Sequence, residues 1–287
     1  MRRRRLSLGQ ALAVGLSLWA GSCRASPPPS IVLATTTSVG NSGLLDKLTE
    51  RFLADTGIAL RSQLVGSGLA LRMLDKKHVD VVISHAPAAE AKALATHPGW
   101  RYRKIMWNTF VIVGPPSDPA HVSGSSDLAD AMRRIATSEQ TFLSRGDMSG
   151  THEREEALWA RAGVRPQPKR LVVAGSGMGT TLRAASGTAA YTLTDAATFA
   201  QLAPNLELKI VFEGDPSLLN TYAVVYDPDG EKSKSAAAFV NWLSDGEGRF
   251  EIERFRVSGG IVAFTLWPLD RPRTHPDDTP GEIRRVP

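Results

Sequence analysis

At 287 residues the chain can bury the cores of two ordinary domains, and at 42% hydrophobic and 22% charged residues it reads as globular rather than disordered. Its net charge of +5 overstates how basic it is, because Arg2, Arg3, Arg4 and Arg5 supply four of those charges ahead of an apolar run at 6–20. Without them no basic patch for nucleic acid remains, and the single cysteine, Cys23, excludes an internal disulfide.

The first 25 residues have a basic start, an apolar middle and a small-residue exit, the plan of an export signal. The apolar run is too short to favour a membrane-spanning helix. Arg3-Arg4-Arg5-Leu6 also faintly resembles a twin-arginine signal. Cys23 follows Ala20-Gly21-Ser22, as the lipidated cysteine of a bacterial lipobox does, although Ala20 stands where a leucine is usual. The alternative is cleavage after Ala25, which discards Cys23. Both readings place the protein outside the inner membrane, periplasmic or at the cell surface. Pro27-Pro28-Pro29 then forms a stiff spacer.

The apolar run 31–34 predicts a buried parallel strand, and Thr35-Thr36-Thr37-Ser38 follows it at once. Leu44, Leu45, Leu48, Phe52 and Leu53 recur at helical spacing up to Gly57, which stops the helix. The pattern repeats: a strand at 58–65, the loop Gly66-Ser67-Gly68 and a helix at 69–77; then a strand at 79–84, His85-Ala86-Pro87 and a short helix at 90–96. Strands alternating with helices predict a parallel α/β sheet that binds ligands beyond the carboxyl ends of its strands.

Residues 101–113 read as a long strand crossing into a second domain. That domain has a helix at 128–136, a short strand at 141–143 and the motif Ser144-Arg145-Gly146-Asp147-Met148-Ser149-Gly150-Thr151-His152 before a helix at 153–159. A strand at 169–174, the loop Gly175-Ser176-Gly177-Met178-Gly179, a helix at 180–185 and strands at 189–195 and 206–213 follow. Residues 222–226 read as the return crossing, and helices at 236–243 and 248–255 close the first domain. The expected boundaries are 26–110 and 222–267 for one lobe and 111–221 for the other, with a disordered tail at 268–287.

Four loops rich in hydroxyls and glycine thus fall at strand ends in two halves of one chain. Each alone is a common turn. Together they predict a cleft whose donors are hydroxyls, helix-start amides and the permanent cation of Arg145, a set suited to a tetrahedral oxyanion. Asp147 is expected to orient Arg145. His85 reads equally as a donor at a strand end or as a buried histidine satisfied by backbone, and no histidine spacing predicts a zinc site.

In this order, Thr35-Thr36-Thr37-Ser38, Val65-Gly66-Ser67-Gly68, His85-Ala86-Pro87, the Ser144–His152 motif, Tyr191-Thr192-Leu193-Thr194-Asp195 and Glu213-Gly214-Asp215-Pro216 resemble the tungstate-binding proteins of bacterial ABC transporters, from about Ile31 to about Trp267. The resemblance implies a type II periplasmic-binding-protein fold: two α/β lobes, each a mainly parallel sheet flanked by helices, with two crossing strands as hinge. It implies a monomer without a cofactor, which holds tungstate or molybdate by hydrogen bonds from Thr36, Thr37, Ser67, Arg145, Ser149, Thr151 and Thr192 and delivers it to an ABC permease. Met148 stands where the family has a polar residue, and residues 259–264 and the tail fit the family poorly.

Phosphate- and sulfate-binding proteins of the same fold are the nearest alternative. Phosphate keeps a proton at pH 7 and its receptors supply an aspartate to accept it. Here His85 occupies that place with no acid beside it, so a donor-only site favours a fully deprotonated anion. A serine-dependent hydrolase is the different-class alternative, but no Gly-x-Ser-x-Gly elbow lies in a strand–turn–helix context. A ligand-sensing signalling domain would need an effector extension that the sequence does not show.

Overall fold

The computed structural model describes residues 27–281. The expected export signal with Cys23, and residues 282–287, lie outside the described residues. The strands are β1 (Ser30–Thr35), β2 (Ala59–Leu64), β3 (Val81–Ser84), β4 (Arg101–Gly114), β5 (Phe142–Ser144), β6 (Leu171–Val173), β7 (Thr192–Asp195), β8 (Lys209–Phe212), β9 (Leu219–Tyr226), β10 (Arg256–Val257), β11 (Ile261–Val262) and β12 (Thr265–Leu266). The helices are α1 (Thr37–Asn41), α2 (Leu44–Thr56), α3 (Ser67–Asp75), α4 (Pro87–Thr96), α5 (Leu128–Thr137), α6 (Gly150–Ala162), α7 (Met178–Gly187), α8 (Ala196–Leu202), α9 (Ser233–Ser244) and α10 (Glu247–Arg254).

In the first half, β2 and β3 flank β1 in parallel, and β9, β4 and β12 extend the sheet antiparallel beyond β3. β4 carries the chain into the second half. Residues 101–109 pair with β9, whereas Phe110 to Gly114 pair with β7 and β8. Beyond β7, the parallel pair β5–β6 is joined through a bridge between Phe142 and Tyr191.

The apolar pattern explains this arrangement. Ile31 and Leu33 of β1 belong to one core cluster and Ala34 to the opposite one, so the strand is covered on both faces as its continuous apolar run requires. Late in β4, Phe110 and Ile112 enter one core of the second half while Val111 and Val113 enter the other, the period-2 alternation of a strand between two helical layers. α2 ends at Gly57 in the left-handed region, φ 70°, the stop the sequence predicts.

The short α1 and α8, and the pairs made by β10, β11 and β12, add to the elements that the sequence pattern predicts. The expected disordered tail needs correction over 268–281. This stretch has no regular element, yet Lys104 Nζ donates to Pro276 O at 2.6 Å and Asp278 O at 2.7 Å, Lys104 N to Arg273 O at 2.8 Å, and Trp267 Nε1 to Pro272 O at 2.9 Å. Arg273 pairs with Asp245 at 2.8 Å. A segment held by side chains reaching its backbone leaves no periodic pattern to read.

Candidate functional site

Five strand-to-helix corners converge on a cavity of about 160 Å³. β1–α1 contributes Thr36, Thr37 and Ser38, β2–α3 contributes Val65 and Gly66, and β3–α4 contributes His85. The second half adds Arg145, Asp147, Ser149 and Thr151 from β5–α6 and Gly175, Ser176 and Gly177 from β6–α7. The volume suits one small ion; drug-sized ligands occupy about 300–1,000 Å³.

Four helices start at this cavity, and their N-cap residues Thr36, Gly66, Ser149 and Gly177 all line it. At Thr36, Gly66 and Gly177 no side chain caps the helix, which leaves first-turn amides without a side-chain acceptor. Such amides and the helix dipoles behind them favour an anion.

Arg145 supplies the formal charge. It is 4% exposed, and one terminal nitrogen donates to Asp147 Oδ2 at 2.5 Å. The other terminal nitrogen meets only Met178 Sδ, at 3.6 Å, and the buried Nε has no partner. A guanidinium carries five N–H donors, so most are unspent. The backbone that carries Arg145 is fixed: its N–H donates to Glu155 Oε2 at 3.1 Å, and its carbonyl accepts Gly175 N at 3.0 Å. Burial pushes the Glu155 carboxyl above the usual carboxylate range.

Asp147 also accepts Ser149 N, through Oδ1 at 3.2 Å. The cavity therefore does contain a carboxylate, contrary to the donor-only lining expected from the sequence, but both of its oxygens are engaged. Ser149 Oγ accepts His152 N at 3.3 Å as the cap of α6, and Met148 N donates to His152 Nδ1 at 3.1 Å. Met148, at φ 57°, is 68% exposed and is not a lining residue of the cavity.

Beneath the cavity runs a buried polar ladder. His85 Nδ1 is 3.0 Å from Asn220 Oδ1, and Asn220 Nδ2 donates to Asn108 Oδ1 at 2.8 Å and Tyr222 Oη at 2.9 Å. Tyr222 Oη is 3.4 Å from Ser38 Oγ, which is 2.9 Å from Thr36 Oγ1. His85 stacks on Tyr222 with ring centroids 4.9 Å apart. Burial pushes the His85 imidazole down to about 4, against the raising effect of the Asn220 bond, so the ring is neutral at neutral pH. Asp195 is buried at the end of β7, and desolvation raises its carboxyl.

Of the seven residues implied by the sequence resemblance, Thr36, Thr37, Arg145, Ser149 and Thr151 line the cavity. Ser67 and Thr192 are not among its lining residues. Ser67 Oγ accepts His85 N at 3.1 Å, which ties two corners together. Thr192 Oγ1 donates to Leu143 O at 2.7 Å and spends its proton on the neighbouring strand. Asn108, Asn220 and Tyr222 escaped the sequence reading. Their signal was polarity inside the crossing strands Arg101–Gly114 and Leu219–Tyr226.

Comparison with known proteins follows the same lines. The PBP superfamily domain matches residues 24–247. The chain is 40% identical over 220 residues to the tungstate-binding protein TupA of Peptoclostridium acidaminophilum, covering 75% of this chain and 77% of that protein. Among solved structures, the tungstate ABC transporter protein from Geobacter sulfurreducens matches with a TM-score of 0.71 and 36% identity, over 79% of this chain and 98% of that one. The tungstate-binding protein TupA from Desulfovibrio alaskensis G20 matches with a TM-score of 0.68 and 39% identity, over 83% and 98%.

Proposed function

Because the chain belongs to the PBP superfamily, and within it to the tungstate-binding proteins of ABC transporters, we propose that it captures tungstate, or molybdate, in the cavity between its halves and delivers it to an ABC permease. The observation that carries this reading is the underspent, buried Arg145 facing a small cavity at which four helices begin. Thr36 and Thr37 contact the anion from the first lobe, 26–110 with 222–267, and Arg145, Ser149 and Thr151 from the second, 111–221. Ser67 and Thr192 act one layer behind, through His85 and Leu143. The protein is exported, works as a monomer, and is held to the membrane through lipidated Cys23. Among the described residues no helix is long and apolar enough to cross a membrane.

The oxyanion dissolves in water with a full hydration shell, so the site must replace that shell with fixed donors. Each charge-assisted bond contributes about 1.5–3 kcal/mol net. With Asp147 spent on Arg145 and Ser149 N, the cavity lining offers no free carboxylate to take the proton of hydrogen phosphate. Hydrolase chemistry lacks its pairing: Ser67 and Ser149 hydroxyls both accept backbone N–H groups, while the His85 and His152 rings are engaged by Asn220 and by Met148 N. The relatives are transport proteins, not enzymes.

Calorimetric titration with tungstate, molybdate, sulfate and phosphate at pH 7.5 tests the reading. Tight tungstate or molybdate binding without phosphate binding is the expected result. Tight phosphate binding without tungstate would make Asp147 a proton acceptor and the protein a phosphate receptor.

A further inference from the structure

The two halves also meet beside the cavity, where α4 faces α6. α4 begins with Pro87 after Ala86, and no side chain of its own caps it. Its first free amides instead donate across the cleft to Glu153 on α6, Ala88 N to Oε1 at 3.0 Å and Ala89 N to Oε2 at 3.2 Å. One carboxylate of the second half thus caps a helix of the first, and the sign of its charge suits the helix start.

The neighbouring backbone is in direct contact. A Cβ on Gly150 would lie 2.4 Å from His85 O, and one on Gly66 would lie 3.4 Å from Ser149 Cα. The turn bearing Ser149 and Thr151 is therefore pressed against the corner bearing His85, with Glu153 three residues further along the same helix. Glu153 itself is not a lining residue of the anion cavity.

We propose that Glu153 is a positioning residue: it clasps α4 only when the halves are closed and so sets how long the bound anion stays, without touching it. This rests on the oxyanion-receptor reading. Opening the cleft exchanges two helix-start amides and a carboxylate for water. The bonds are partly exposed, so the effect is modest compared with loss of Arg145. It falls on the rate of release, since the anion must enter before the clasp forms.

Stopped-flow measurement of tungstate binding by tryptophan fluorescence separates the two rates in Glu153→Gln and Glu153→Ala. Both variants are expected to release tungstate about fivefold to tenfold faster, with association within about twofold of wild type. Their unliganded melting temperatures should match wild type, whereas a merely structural role for Glu153 would lower them. X-ray scattering at saturating tungstate should show a more expanded variant. Wild-type release rates, or a loss of unliganded stability equal to the loss of affinity, would overturn the proposal. If the wild type binds no oxyanion, the receptor reading fails. With no anion to close the cleft the clasp has nothing to hold and the proposal falls with that reading, whereas wild-type tungstate binding with unchanged release in both variants overturns the clasp alone.

Discussion

At the scale of single residues, the cation and the neutral imidazole divide the work. Arg145→Ala removes a buried charge that no other cation in the cavity lining can replace. Tungstate affinity is expected to fall by about 2–4 kcal/mol, measured by calorimetry, and an affinity near wild type would show that the anion binds elsewhere. His85 acts on stability instead. Its pKa of about 4 in the folded protein lies below the ordinary 6.5, so the unfolded chain binds more protons between those values. Stability contributed by the neutral ring is then full above pH 6.5 and drains away as pH falls toward 4, by about 3 kcal/mol in all. His85→Gln is expected to flatten that part of the melting-temperature profile; an unchanged slope would assign it to another group.

At the scale of elements, the corners matter more than the helices they join. Gly146 shows this between β5 and α6: its φ is 59°, and an added Cβ would lie 2.2 Å from Val173 Cγ1 on β6. Gly146→Ala must therefore pay in strain and push β6 away, moving the backbone next to Arg145. A loss of about 2–4 kcal/mol in unfolding free energy is expected by denaturant titration, with weakened tungstate binding. These corners were legible in the sequence because small, polar and glycine residues interrupt apolar runs where a strand gives way to a helix. Five of the seven implied site residues reach the cavity for that reason. Ser67 and Thr192 carry the same chemistry in the same kinds of corner, and only three dimensions reveal that their oxygens are aimed at His85 N and Leu143 O. Asn108, Asn220 and Tyr222 were opaque for the converse reason: they sit in crossing strands, over a hundred residues apart in two cases, and the ladder exists only once β4 and β9 are paired.

At the scale of the whole molecule, the chain's last described stretch separates folding from binding. Lys104 lies in the part of β4 that pairs with β9, is almost fully buried, and sends its ammonium to Thr221 Oγ1 and to the Pro276 and Asp278 carbonyls, with the Trp267 ring 5.0 Å away. Burial lowers its pKa to about 8, a cost the carbonyls offset only while residues 268–281 stay in place. Removing everything after Trp267 would leave that cation facing water on one side, and would also take Arg273 away from Asp245 and the Pro272 carbonyl away from Trp267 Nε1. None of residues 268–281 lines the anion cavity, which is built from the β1–α1, β2–α3 and β3–α4 corners and from the second half. The truncated protein is accordingly expected to melt several degrees lower, from a loss of about 2–4 kcal/mol, yet to bind tungstate within about twofold of the full chain at a temperature where both are folded. A large loss of affinity at unchanged stability would mean that the strap controls the cleft rather than the first half's sheet. The sheet's geometry argues otherwise, since β12 and the strap lie at its outer edge, on the far side of β9 from the β1, β2 and β3 corners that carry the ligand-facing loops.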